Sequence, residues 1–256
     1  MGQRVWVYGS ERLQGIIGRK AIQTFKQADS SQTPSLKDLW IDIGATSREE
    51  AETVVKIGSP VTLQAEFARL MGNRAVARAF DNKAGLFIGG EVVRRLREEG
   101  GLHPDVGLYA LGTVQEEIGL RRAQTTAAFN LQPHTALAID MGLPWTTHVP
   151  DPKIRVVWIW ERGPGISQGP STNPVVFDLL KAAADEDGIP DQLQAYGDKS
   201  PTDARLIQTN RGGVATGLLS VPLRYRHTPS EVICIDDVEA TIRLVCEYCR
   251  RVRPDT

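Results

Sequence analysis

The sequence predicts an α/β fold: a mixed, mostly parallel sheet flanked by helices, with a small β-rich domain at its N-terminal side. Three observations carry this. From about residue 78, apolar strand-like runs alternate with segments of helical periodicity, the pattern of a sheet covered on both faces. Over roughly the first seventy residues the runs are short and bounded by Gly and polar turn signals. At 256 residues, with 41% hydrophobic and 24% charged side chains, the chain can bury a sizeable core of ordinary globular composition. The expected division is 1–71 for the β-rich domain and 72–256 for the α/β domain.

The elements follow in order. QRVWVYG and LQGIIGRK read as a pair of strands, SQTPSLKD as a polar loop and SPVTLQAEF as a further strand. TSREEAETVVKIG reads as a short helix opened by a Ser or Thr cap and closed by Gly58. NKAGLFIGGEVVRRLREEGG is an amphipathic helix stopped by two glycines. Apolar strands are expected over Val106–Val114, Thr135–Ile139 and IRVVWIW. STNPVVFDLLKAAADEDG reads as a helix with Pro174 in its first turn. LQAYG, TDARLIQTNRGG and VATGLLSVPLRY continue the alternation, and DDVEATIRLVCEYCRRV closes it as a helix.

Composition excludes several classes of function. A formal net charge of −1 provides no field for nucleic acid or an acidic membrane surface, so neither is expected as a partner. The brief basic run in GEVVRRLREEGG turns acidic at once, as a solvated helix face does. No stretch reaches the roughly 18 apolar residues of a membrane span. The opening MGQRVWVYGSERLQG lacks the apolar core of a signal peptide. Three cysteines, Cys234, Cys246 and Cys249, suit a reducing compartment, and a cytoplasmic protein is expected. CEYC has redox spacing but falls inside a helix, where buried thiols are the better reading.

Function in such sheets gathers at strand ends. Asp81 stands at a helix entrance, Glu116 and Glu117 follow a strand, Asp140 ends another, and His227 follows the last. Singly, each has an ordinary reading. Asp81 is a helix cap, Asp140 a turn cap, Glu116 and Glu117 solvated acids, and His227 a surface residue. Together, carboxylates and an imidazole drawn from separate elements form an oxygen–nitrogen ligand set for zinc or cobalt. An Asp able to bridge through both oxygens suits a two-metal hydrolase.

LWIDIGATSREEAETVVKIGSPV, AFDNKAG, TVQEEIGLRRA, AIDMG and SVPLRYRHTPSEVICIDDVEATIRL resemble, in order, the tetrahedral aminopeptidase family. That family of cytosolic di-metal exopeptidases includes glutamyl aminopeptidases and proteins labelled cellulase M. The resemblance implies roles residue by residue. Asp81 matches the aspartate bridging two divalent ions (zinc or cobalt, with manganese also accepted). Glu117 and His227 match ligands of one ion, and Asp140 matches a terminal ligand of the other. Glu116 matches the general base. Asp203, in SPTDARL, matches a loop close to the substrate, and GPGISQGPSTNP one bordering the site.

The resemblance further implies peptide substrates, and a β-rich inserted domain whose contacts build dimers and a dodecamer, hence a homo-oligomer. It also marks a departure. Family members carry a His-X-Asp segment ahead of the inserted domain, and this sequence opens part-way into that domain. The expectation is therefore a late start or a fragment, with one ion position short of its histidine. His103, His134 and His148 are poor substitutes, and GRKAIQTF stands where the family often has a Pro-Pro-His run. Two alternatives go with this expectation: a catalytically weak relative acting as an oligomerisation scaffold, and a glycosidase suggested by the cellulase label and the paired acids.

Overall fold

The computed structural model describes residues 2–20, 35–120, 122, 128–143, 159–197 and 200–255. The chain divides into two compact units, Met1–Glu66 and Phe67–Thr256. The boundary lies five residues before the one expected at 71/72. Phe67 onward supplies an edge hairpin of the second unit's sheet, and residue 71 sits in its turn.

In the first unit, strands β1 (Arg4–Tyr8), β2 (Arg12–Arg19), β3 (Leu39–Asp42) and β4 (Val61–Leu63) form an antiparallel sheet in the order β3-β2-β1-β4. Val5 and Val7 alternate inward along β1, as a period of two requires. Helix α1 (Arg48–Val54) starts where Ser47 accepts the Glu50 amide. It ends before Gly58, with Val55 already extended. Of SQTPSLKD, residues 35–38 form a capped 3-10 turn. Its first four residues lie outside the described set, as does most of GRKAIQTF.

The second unit holds β5 (Ala68–Leu70), β6 (Arg74–Ala77), α2 (Phe80–Glu99), β7 (Thr135–Gly142), β8 (Gly165–Gln168), α3 (Pro174–Glu186), β9 (Gln192–Ala195), α4 (Ala204–Ile207), β10 (Ala215–Arg224), β11 (Glu231–Cys234) and α5 (Ile235–Arg251). Its sheet runs β5-β6-β11-β10-β8-β9, with β7 on the other edge of β10. β10 is the hub, buried along eight consecutive residues of a mainly apolar run, as a strand covered on both faces requires. α2, α3 and α5 pack on the sheet through one core that includes Ile88, Leu180, Leu219 and Leu244.

The fold class is the one expected, but its parallel share is smaller. Only β7–β10 and β8–β9 run parallel among the described pairings. β5–β6, β6–β11, β10–β11 and β8–β10 run antiparallel. Connections as short as residues 71–73 and 225–230 join antiparallel neighbours, since a parallel return needs a long crossover.

The strand expected over Val106–Val114 is absent. These residues form no ladder, and Tyr109 and Val114 are 70% and 61% exposed. An apolar run becomes a strand only where a neighbour offers backbone partners, and among the described residues none pairs with it. IRVVWIW falls outside the described residues except for Ile159 and Trp160. Cys246 and Cys249 are buried inside α5, and burial pushes the Cys249 thiol up to about 12, which makes it inert. Among the described residues no helix is long and apolar enough to cross a membrane.

Candidate metal centre

Three backbone segments of the second unit converge, and local sequence explains each. α2 sits closely on β7 because residue 85 is Gly. A Cβ there would lie 2.9 Å from the Ile139 carbonyl oxygen. Asn82 locks the approach, donating to that carbonyl at 2.8 Å while its own oxygen accepts the Gly85 amide. Asn82 therefore does the capping, and Asp81 is freed from the role a helix entrance suggests. Asp81 and Asn82 have non-helical backbone angles, so the regular helix begins after them. The contact carries the start of α2 to the end of β7, where Asp140 lies one residue beyond Ile139.

Around these residues the backbone is unusual. Ala79, Gln115, Tyr225 and His227 are all left-handed without being glycine (φ 57, 66, 59 and 61°). Each flanks or is a predicted site residue, and such conformations persist only where surrounding contacts over-determine them. After β10, Arg226 and the left-handed His227 meet, with Arg226 Nε donating to His227 Nε2 at 3.0 Å.

The distances gather three of the predicted ligands. His227 Nε2 lies 3.5 Å from Asp81 Oδ2 and 3.4 Å from Glu117 Oε2. One ligand atom from each of the three lies within 4.8 Å of the others. The Asp81 side chain is 4% exposed, yet its Oδ2 accepts no hydrogen bond. A buried carboxylate oxygen without a donor is costly unless a cation completes it. Two carboxylates and an imidazole suit a borderline divalent ion, so the residues fit the metal their types suggest.

Asp140 stands beside this trio rather than in it. Its Oδ1 accepts the Met141 amide at 2.7 Å, and burial raises its carboxyl above the usual range. Burial first, then the charges of Asp140 and Glu117, push Asp81 up to about 6. Glu116 is pushed up to about 7 by burial and by Asp140, Glu117, Asp203 and Asp81. Glu116 and Glu117 occupy a turn, not a strand end, closed by the Gly119 amide on the Glu116 carbonyl. Asp203 accepts from Thr113 Oγ1 at 2.7 Å, keeps its Oδ1 buried without a partner, and is raised by burial. A cavity of about 800 Å³ opens here, bordered by Asp81, Glu116, Glu117, Asp140 and Asp203.

The other described histidines stand apart. His103 accepts the Asp105 amide within its loop, and His134 precedes β7. His148 lies outside the described residues.

Sequence reasoning missed two residues. Arg226 is one. Glu231 is the other, 2% exposed at the start of β11. Its Oε2 accepts the Asp81 amide and its Oε1 the His227 amide, each at 3.0 Å. One carboxylate thus ties together the backbones of two candidate ligands. An acid opening a wholly apolar strand, EVIC, was the available signal. Glu231→Gln keeps the volume but turns one acceptor into a donor facing an amide. Ion affinity should fall roughly 10- to 100-fold, the usual cost of losing a group that orients ligands. Zinc calorimetry on both proteins would measure this, and unchanged affinity would deny Glu231 the role.

The protein gathers oxygen and nitrogen donors over a mixed α/β sheet, the kind of site a metal-dependent hydrolase uses. It belongs to the M42 glutamyl aminopeptidase family, whose sequence profile matches residues 1–244. It is similar to the lysyl aminopeptidase of Pyrococcus furiosus, 34% identical over 215 residues, covering 84% of this chain and 60% of that protein. A putative aminopeptidase of Acetivibrio thermocellus is 31% identical over 237 residues, covering 91% of this chain and 68% of that one. The chain thus spans about 60–68% of the length of these relatives. Among solved structures, the TET aminopeptidase of a marine-sediment thaumarchaeon superposes with a TM-score of 0.90 at 33% identity, covering 100% of this chain and 72% of that one. The Pyrococcus horikoshii TET1 peptidase, described as assembling into a tetrahedron or a large octahedral shell, gives 0.79 at 26% identity, covering 98% and 72%.

Proposed function

We propose that the protein acts as a divalent-metal-dependent aminopeptidase that removes the N-terminal residue of peptides. The carrying observation is the trio Asp81, Glu117 and His227 closing on a buried carboxylate oxygen that accepts no hydrogen bond, beside the raised carboxyl of Glu116. Asp81, Glu117 and His227 would hold one zinc or cobalt ion, with manganese also compatible. Asp140, sharing Asp81, would mark a second position that needs at least one further ligand. A bound ion supplies Lewis acidity toward the scissile carbonyl and acidifies water.

Glu116 does the proton work. A carboxyl near neutrality takes a proton from the attacking water and returns it to the leaving amine. Its neighbour Glu117 is committed to the ligand cluster, so the two adjacent acids have separate tasks. Asp140, Asp203 and the glutamates make the cavity wall strongly acidic, which favours a substrate entering with its ammonium group first. Peptides are the substrate class, the cytoplasm the expected compartment, and homo-oligomerisation through the first unit the expected assembly. That unit exposes Ile16, Trp40 and Ile41 on its sheet. A glycosidase would need carboxyls facing each other across a sugar, an arrangement unlike adjacent acids at a ligand trio.

The test is an aminoacyl-nitroanilide panel, with the metal stripped by chelator and then restored as zinc, cobalt or manganese. Hydrolysis should vanish on chelation and return with metal. Activity that survives complete stripping would end the proposal.

A further inference from the structure

Arg226 touches the atoms that an ion would use. Its Nε donates to His227 Nε2 at 3.0 Å, and that nitrogen is the one lying 3.4 Å from Glu117 Oε2 and 3.5 Å from Asp81 Oδ2. The same Nε is 3.2 Å from Asp81 Oδ2, close enough to pair the charges, while its hydrogen is aimed at the imidazole. At its far end Nη1 donates to the Met141 carbonyl at 3.4 Å, next to Asp140.

A neutral imidazole nitrogen has one acceptor lone pair, so it cannot accept from a guanidinium and ligate an ion at once. The two states exclude each other at His227 Nε2. Electrostatics gives the guanidinium a reason to be there. The charges of Asp140, Glu117 and Glu231 all bear on the buried Asp81, and a buried carboxylate without a counter-charge destabilises a fold. Arg226 is a cation whose charge favours the ionised forms of both Asp81 and Asp140. With 30% of its side chain exposed, it can swing its head into water while its stem stays packed.

We propose that Arg226 is the resident cation of the centre, holding Asp81 and His227 until a divalent ion displaces it, so that metal loading is a cation exchange. This rests on the metal-centre reading above. The guanidinium holds the ligand atoms together in the metal-free protein and competes with the ion for them. Loading is therefore weaker than the ligand set alone would give, and it moves Arg226 outward.

Zinc calorimetry on the wild type, Arg226→Met and Arg226→Ala tests this. Met keeps the length of the stem without the charge. Both variants should bind zinc about 10- to 100-fold more tightly, the equilibrium equivalent of one charge-assisted hydrogen bond. Affinity that is unchanged or weaker in both, with wild-type circular dichroism, overturns the proposal. In wild-type protein labelled with ¹⁵N, the Arg226 Nε signal should move in step with His227 Nε2 as zinc is added. An Arg226 signal that stays put overturns the proposal even if a variant fails to fold. If all three proteins bind zinc equally and hydrolysis still depends on metal, the exchange falls and the aminopeptidase reading stands. If none binds zinc, the metal centre falls and the exchange with it.

Discussion

In any metal-loaded form that is active, Glu116→Gln should lower turnover about 10²- to 10⁴-fold and leave metal content nearly unchanged, whereas Glu117→Gln should lose metal. The two side chains are neighbours in one turn, yet their surroundings differ. Glu117 Oε2 lies 3.4 Å from His227 Nε2, inside the ligand trio. Glu116 lies outside that trio on the cavity wall, with its carboxyl raised to about 7. An amide at 116 keeps the shape but can neither take nor return a proton. At 117 it replaces an anionic ligand with a weak neutral one. Metal analysis beside turnover separates the cases. Equal metal loss in both variants would show the two acids assigned the wrong way round.

Asp81→Asn should have opposite effects on function and stability. Ion binding, and hydrolysis with it, should fall below detection, because Asp81 supplies the buried oxygen that no donor satisfies. The metal-free fold should gain stability. Burial and neighbouring acids raise the Asp81 carboxyl from 3.8 to about 6. For an acid raised in the folded state, stability is complete below the unfolded value and is lost as pH climbs through the folded one. The loss here falls between about pH 4 and 6 and reaches on the order of 3 kcal/mol. At pH 7.5 in chelator the variant should therefore melt several degrees above the wild type, with the gap closing toward pH 4. A variant that melts lower at pH 7.5 would contradict this account. Function here holds a charge the empty fold would rather lose.

Much of the candidate centre was legible because its residues sit where apolar runs stop. Asp81, Asp140 and His227 each interrupt or follow such a run, and the structure gathers Asp81, Glu117 and His227 within reach of one ion. The sheet was less legible. Alternation of strands and helices suggests parallel pairing, but the short turns at 71–73 and 225–230 already dictated hairpins. The run Val106–Val114 looked like a strand because periodicity records which side chains are apolar, not whether a neighbour supplies hydrogen bonds. Arg226 was invisible for another reason, and Glu231 left only the trace of an acid opening an apolar strand. Their roles come from backbone turns that bring distant atoms together, and an Arg beside a His carries no periodic signal.

The placement of Glu231 has a consequence for how the protein can change. Its carboxylate grips the amides of residues 81 and 227, not their side chains. The frame of the centre is thus indifferent to which side chains those residues carry. A carboxylate could give way to another donor at either position while the two backbones stay joined. Ion preference can then drift, by selection or by engineering, on a chassis that does not have to be rebuilt each time.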